Sequence, residues 1–415
     1  MGIGPSSKET TLHHFRDPLT ELLCQDKSLD FLGVLFQGTP ENYAHKQFVA
    51  GRSGVYAEMM RADGAIVEID SWGNSHVDFA AAIQALGERN IPVVGLSFVG
   101  NQAAFVVTNQ YMDCIVDFNK TSLGIETCMV GQNTVDELDA RKAVALLKHK
   151  IFKKFPRKAD APVTEKILRK LRLNTYRIQE VQLAGRTEIQ GKRLLLDQGG
   201  LDEIAAHYPE IAAIKLSLIQ PGADNFFINS ILDFSPLAAK VSGFPGEGVS
   251  NVLDGVKVML TAVEIGGFQP ANIGSSEGMF RERVCLGRRG TPDSGEIIIH
   301  CDVLLAEGEG RTRTGIFAAH HACDELLQRA RFAVKGMDAA LAVHKQDFYD
   351  IARPGGLRVL VVKLVSGLGC MYDTAFFPDE PAGCLGSRSV MELSNNIQIP
   401  LTPNEYRDGM LHSLC

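Results

Sequence analysis

The sequence predicts an α/β protein: a doubly wound parallel sheet domain, followed by an α+β domain whose terminal α/β segment returns to the first. Three observations carry this. Short Val/Ile-rich runs alternate with amphipathic stretches over residues 29–151, a Pro-, Ala- and charge-rich break spans 156–166, and a new apolar run opens at 357. FLGVLF (31–36), GAIVEID (64–70), IPVVGLSFV (91–99) and CIVDF (114–118) are short, apolar and bounded by Gly, Pro or Asn, as buried parallel strands are. Phe79, Ile83 and Leu86 fall at helical spacing between the second and third runs. Thr134 and Glu137 are spaced as a capping box, opening a helix with Val144, Leu147 and Ile151 on one face. Such alternation with short connections implies right-handed crossovers and helices on both sheet faces.

The division expected is 1–155 for the α/β domain, 156–166 (PRKADAPVTEK) for a linker and 167–415 for the second domain. Segments 176–183, 212–220, 252–264 and 295–306 are β-like, separated by Gly-rich turns such as GFPGEGVSN (243–251) and LAEGEGRTRTG (305–315). One long helix is expected over about 317–346, with Leu326, Ala330, Val334, Met337 and Leu341 on one face. LRVLVVKLV (357–365) then opens the returning segment, which should pack on the first domain.

A net charge of −7 and a pI near 5.9 argue against nucleic-acid binding, which needs a basic surface. No apolar run reaches the length of a membrane span, and the first 20 residues are too polar for a secretory signal. The nine cysteines form no CxxC pair, which implies reduced thiols in a cytoplasm rather than a disulfide framework or a zinc ribbon. His320 and Asp324 are four apart on the long helix, but no third metal ligand stands at a telling distance, so they read as part of a helix start. Gly95-Leu-Ser97-Phe-Val-Gly100 misses a nucleophile elbow by one residue.

Ligands of open parallel sheets bind beyond the carboxyl ends of the strands. Those ends here carry Gln37-Gly38-Thr39, Ser71-Trp72-Gly73-Asn74, Ser97 to Asn101 and Asn119-Lys120-Thr121. Amide and hydroxyl groups with one lysine suit a small zwitterion or carboxylate, and FQGTPEN lacks the glycine pattern of a dinucleotide turn. Ser71, Asn74, Asn101, Asn119 and Lys120 are therefore the candidate substrate-binding residues, with no metal expected.

Longer stretches carry a resemblance. VVKLVSGLGCMYD, FPDEPAGCLG and IPLTPNEYRDGMLHSLC are similar to the region before the processing cysteine of the D-proline reductase proproteins, in the glycine, sarcosine and betaine reductase component B group. IGPSSKETTLHHFRDPL, ADGAIVEIDSWGNSHVDFA, RNIPVVGLSFVG and YMDCIVDFNKTSLGIET resemble the region after that cysteine. EKILRKL, GVKVMLTAVEI, IGSSEG, GEIIIH and AAHHACDELL resemble the start of the larger part. The resemblance covers nearly the whole chain, with the two processed parts in swapped order.

The resemblance implies reductive cleavage of the Cα–N bond of D-proline to 5-aminopentanoate, in an oligomer with a selenocysteine-containing small subunit and a dithiol as reductant. It implies a pyruvoyl group whose precursor is Cys415, an electrophile that makes the amine a better leaving group. In this order, breaking Leu414–Cys415 in the family's manner would release free pyruvate. Thr127-Cys128 is a second candidate precursor site. Two further readings stay open: a component acting on glycine, sarcosine or betaine, and a catalytically silent relative that keeps the fold and the partner interface. If the fold holds the swapped parts together, Cys415 and Ile3 should lie within roughly 10–15 Å, the reach of three or four extended residues.

Overall fold

A computed structural model describes residues 9–69, 73–101, 104–125, 127, 129–156, 162–266, 277–310, 312–366 and 398–409. Ser71, Cys128, Cys415 and Ile3, and with them the expected approach of the two ends, lie outside the described residues.

Each apolar run of the first 120 residues becomes a strand: β1 (Leu29–Gly38), β2 (Gly64–Ile69), β3 (Val93–Ser97) and β4 (Ile115–Asp117). Helices α1 (Thr11–Phe15) and α2 (Pro18–Gln25) precede them, and α3 (Tyr43–Met59), α4 (His76–Gly87) and α5 (Glu137–Lys154) connect or follow them. No apolar stripe in residues 43–59 foretells α3; Asn42 caps it through the backbone N–H groups of Ala44 and His45. Its Gly54 lets it lie close to α4, since a Cβ there would meet the Ala85 carbonyl. The helix over 137–154 forms as expected, but its cap is not Thr134-x-x-Glu137. Asp136 caps it, in a reciprocal box with Asp139, because the shorter side chains reach the orphan N–H groups from one residue before the helix.

The second half contributes β5 (Lys166–Arg177), β6 (Glu180–Ala184), β7 (Glu188–Gln190), β8 (Arg193–Asp197), α6 (Leu201–Ala206), β9 (Ile211–Ile219), β10 (Phe227–Ile228), β11 (Ser230–Ser242), β12 (Gly248–Glu264), β13 (Gly278–Met279), α7 (Phe280–Arg283), β14 (Ile297–Leu305), α8 (Arg313–Lys335) and β15 (His344–Ala352). Then come β16 (Leu357–Val365), β17 (Ile399–Leu401) and α9 (Pro403–Gly409).

The first sheet runs β17-β1-β16-β2-β3-β4, with β1, β16, β2, β3 and β4 parallel and β17 an antiparallel edge. Strand β16 thus enters between β1 and β2. Gly33, at φ +112°, makes the bulge in β1 beside β17, where any Cβ would meet the Leu401 carbonyl. One face packs Leu19, Leu23, Val144, Leu147, Ile151 and Tyr406 against Val34, Ile66 and Val361. The other packs Ala50, Ala57, Phe79, Ile83 and Leu86 against Leu35, Val67 and Val362. Helices cover both faces, as in a doubly wound sheet.

The second sheet runs β15-β5-β12-β14-β9. Strand β12 pairs parallel with β5 along its first half and with β14 along its second, while β11 pairs antiparallel with β12. Helix α8 covers it, burying Ile316, Ala319, Cys323, Leu326, Ala330 and Val334 against Val258, Leu260, Ile299 and Val303.

That helix corrects the reading of 317–346. It begins at Arg313, so His320 lies mid-helix rather than at a helix start, and Asp324 pairs with Arg331 at 2.9 Å. It stops at Gly336, and Leu341 is exposed instead of lying on the buried face. Asp338 caps the turn Ala339–Leu341, and residues 344–352 pair antiparallel with β5. Ladder pairing with a neighbouring strand wins over continued helix there, a tertiary gain invisible to local spacing.

Candidate active site at the carboxyl ends of the parallel sheet

Two strands of the first sheet carry a charge where parallel strands are normally apolar. Glu68 of β2 and Lys363 of β16 are register partners, one and two residues before the ends of their strands, and both side chains are wholly buried. A lone charge there would be very costly, so partners are expected. Lys363 Nζ lies 2.6 Å from Glu68 Oε1 and donates a hydrogen bond to Glu9 Oε2. Glu9 Oε1 lies 3.0 Å from His13 Nε2. The adjacent His14 shares a 2.7 Å hydrogen bond between its Nδ1 and the Tyr406 hydroxyl of α9. Glu9, His13, His14 and Tyr406 are all buried.

The segment carrying Glu9 and the histidines is clamped by the second sheet. Thr11 donates from its N–H and its hydroxyl to the Asp233 carboxylate of β11, at 2.9 and 2.6 Å. Thr10 donates to the Gly290 carbonyl at 2.6 Å and caps α1 through the His13 N–H. Arg16 donates to the carbonyls of Arg289 and Thr291. These bonds hold residues 10–16 across the junction of the two sheets and seat Glu9 over Lys363.

The electrostatics separate the two acids. Burial pushes the Glu68 carboxyl well above the usual range, and the neighbouring Glu9 charge pushes it the same way. Burial opposes ionisation of Glu9 too, but His13 and Lys363 outweigh it and hold its pKa low. Burial works against the Lys363 ammonium, yet Glu68 and Glu9 raise its pKa above the ordinary lysine value. Burial, then Lys363, pushes His14 well below the usual histidine range, so its ring is neutral at pH 7. The two neighbouring acids are thus pushed apart: the surroundings favour the charged form of Glu9 and the protonated form of Glu68. Glu9, His13 and Glu68 also present ligand atoms within 4.8 Å of one another, the spacing of a metal site. The Lys363 ammonium already supplies the cation there.

Beside this cluster lies a row of hydroxyls. Ser366, just after β16, meets Thr39 and Ser75 at 3.0 Å each, and His76 Nε2 meets Ser97 Oγ at 2.9 Å. Burial takes the His76 pKa down to about 4, so it is a neutral partner at pH 7.

The residues singled out from sequence fall elsewhere at the same sheet end. Asn74 is exposed on the turn Gly73–Ser75, and its neighbour Ser75 points inward instead. Asn101 and Asn119 come together: the Asn101 N–H donates to Gly124 O at 2.5 Å, and Asn119 Nδ2 to Ile125 O at 3.1 Å. Asn119 Oδ1 also accepts from Thr121, so its amide is occupied in shaping the loop after β4. Lys120 donates to Asp139 and lines a cleft of about 280 Å³ with Arg16, Arg288 and Arg289. Ser71 and Cys415 lie outside the described residues.

Glu9, His13, His14, Glu68, Lys363 and Tyr406 were not found from sequence. A signal existed: a glutamate interrupts GAIVEID and a lysine interrupts LRVLVVKLV, and charges inside buried parallel strands need partners.

Residues 2–122 match the family of glycine/sarcosine/betaine reductase component B subunits. The matched stretch contains Glu9, His13, His14 and Glu68, whereas Lys363 and Tyr406 come from beyond it. Over 256 residues, 61% of its length, the chain is 32% identical to a D-proline reductase proprotein of Acetoanaerobium sticklandii. The similarity spans 40% of that relative's length. No solved structure matches the chain significantly.

Proposed function

We propose that this chain is a component B-type subunit of a D-proline reductase, acting in the reductive cleavage of the Cα–N bond of D-proline to 5-aminopentanoate. The observation that carries the reading is the 32% identity to a D-proline reductase proprotein, together with the component B match over residues 2–122. The reaction breaks the Cα–N bond of the ring. Two electrons and two protons arrive from a dithiol, which leaves as a disulfide, and one selenocysteine-containing subunit is the expected partner.

The buried cluster supports this chemistry from the protein's side. Cleavage of a C–N bond sends an electron pair to nitrogen, which must take up a proton. Glu68 lies in a dry setting that favours its protonated form, while His13 and Lys363 favour the charged form of Glu9 beside it. A pyruvoyl group, the cofactor that the resemblance implies, would supply an electrophilic carbonyl. His13 Nδ1 and His14 Nε2 are buried without a hydrogen-bond partner among the described residues, and fit as groups that would hold the oxygens of such a cofactor. Ser71, Asn74, Asn101, Asn119 and Lys120 remain the proposed binding residues at the sheet end, with Cys415 the precursor by resemblance.

The test is product analysis. The chain, reconstituted with a selenoprotein subunit and dithiothreitol, is given D-proline, sarcosine, betaine or glycine in separate reactions. Formation of 5-aminopentanoate from D-proline alone is expected. Product from one of the other substrates only would assign the chain to that reductase instead, and product from none would overturn the reductase reading. Intact-mass spectrometry with and without hydroxylamine reports whether a carbonyl is carried.

A further inference from the structure

The second sheet holds a polar array that the reductase reading does not use. Strands β9 and β14 are antiparallel neighbours, and their register places Asp302 opposite Lys215 and His300 opposite Ser217. All four line a cleft of about 310 Å³, walled by Phe226, Phe227 and Asn229. The Phe226 ring is held by stacking on Phe280, with centroids 5.0 Å apart.

The hydrogen bonds in this cleft have a fixed direction. The Thr261 hydroxyl donates to Asp302 Oδ1 at 2.6 Å. Thr261 Oγ1 then accepts from His300 Nε2 at 2.7 Å, which puts the ring proton on that nitrogen. His300 Nδ1 is left as the acceptor for the Ser217 hydroxyl, at 3.3 Å. Burial takes the His300 pKa down to about 4, so the ring carries one proton at pH 7, as this chain of bonds requires.

What remains open defines the ligand. Ser217 gives its hydrogen to His300 and so offers oxygen lone pairs to the cleft. Asn229 Nδ2 donates to both Asp302 oxygens at 2.9 Å, and with Thr261 on Oδ1 this leaves Oδ2 one accepting position. Lys215 is exposed and makes no ion pair with Asp302 or any other group among the described residues. The cleft thus offers the Asp302 carboxylate on β14, the Ser217 oxygen and the Lys215 ammonium on β9, the latter without an ion pair among the described residues, and aromatic walls beside them.

We propose that this cleft binds a small zwitterionic amino acid with an apolar body, its ammonium at Asp302 and Ser217, its carboxylate at Lys215 and its carbon skeleton against Phe226 and Phe227. The inference is independent of the reductase reading, since it concerns binding at the other sheet.

The experiment is titration calorimetry on the full chain with three probes of one ring size: proline, pyrrolidine and cyclopentanecarboxylate. Proline carries both charges and the other two carry one each. Saturable binding of proline is expected, with each single-charge probe weaker by about tenfold or more, the loss of one charge-assisted hydrogen bond. Asp302→Asn and Lys215→Met should each weaken proline binding by a similar factor while the far-UV melting profile stays in place. Pyrrolidine binding as tightly as proline would overturn the zwitterion assignment. Proline affinity unchanged in both variants would place any binding elsewhere and overturn the site, as would the absence of saturable proline binding to the unaltered chain.

Discussion

The two sheets each hold a buried polar cluster centred on histidine and carboxylate groups, and they solve the cost of burial in opposite ways. In the first sheet Glu9, Glu68, Lys363 and His13 are sealed, and their charges are neutralised within the cluster. In the second, Thr261, His300 and Asp302 form a chain of hydrogen bonds that ends at a solvent-accessible cleft, with Lys215 left exposed nearby. The first arrangement depends on a cation that no water can replace. The second depends on hydrogen-bond direction and spreads its charge toward solvent. Removing the central group should therefore be far more damaging in the first sheet than in the second.

The sharpest test is Lys363→Met. It leaves Glu9 and Glu68 buried without their cation, and a loss of about 3–5 kcal/mol in urea unfolding is expected. A loss under about 1 kcal/mol would mean that solvent reaches the cluster and would break the comparison.

Thr261→Val keeps the shape but removes the middle link of the second cluster. His300 Nε2 loses its partner, and a cost of about 1–3 kcal/mol is expected from the same denaturation measurement. A cost equal to that of Lys363→Met would mean the two clusters are equally closed.

Glu68→Gln probes the proton rather than the charge. Because the folded Glu68 pKa is raised, the folded state binds more protons than the unfolded one above a pH of about 4.3, and stability falls as pH rises through that window. Glu68→Gln should remove that part of the fall and change stability at pH 7 by no more than about 1 kcal/mol. Thermal melts across pH 4–8 would show it, and an unchanged slope would mean that Glu68 is ionised throughout.

Lys215→Met should be the mildest, within about 0.5 kcal/mol in stability, since the side chain is exposed and makes no ion pair among the described residues. A larger loss would mean that Lys215 supports the sheet.

Much of the fold could be read from local pattern. Strands β1 to β4, α4 and α5 follow from apolar runs and helical spacing, because those depend on neighbours a few residues apart. Helix α3 was missed since Ser53 and Gly54 stand on its buried face, where small size and not apolarity lets α4 approach. Strand β15 was missed because HKQDFYDIA has no clean alternation, and its pairing with β5 is decided across the sheet. The polar loops at the sheet end were also visible, yet Asn101 and Asn119 are engaged in building their own loop.

By itself the sequence determined the α/β class, the positions of the central strands and the presence of two charges inside them, since composition and period act locally. Only the tertiary structure decided what those charges meet. Glu9 and Lys363 are 354 residues apart and come together because β16 enters between β1 and β2 while residues 10–16 are tied to β11 and the loop at 289–291. Likewise the opposition of Lys215 and Asp302 rests on the register of β9 against β14. Local patterns choose which face a residue takes, but strand order and register choose its partners, and those are set by the packing of the whole chain.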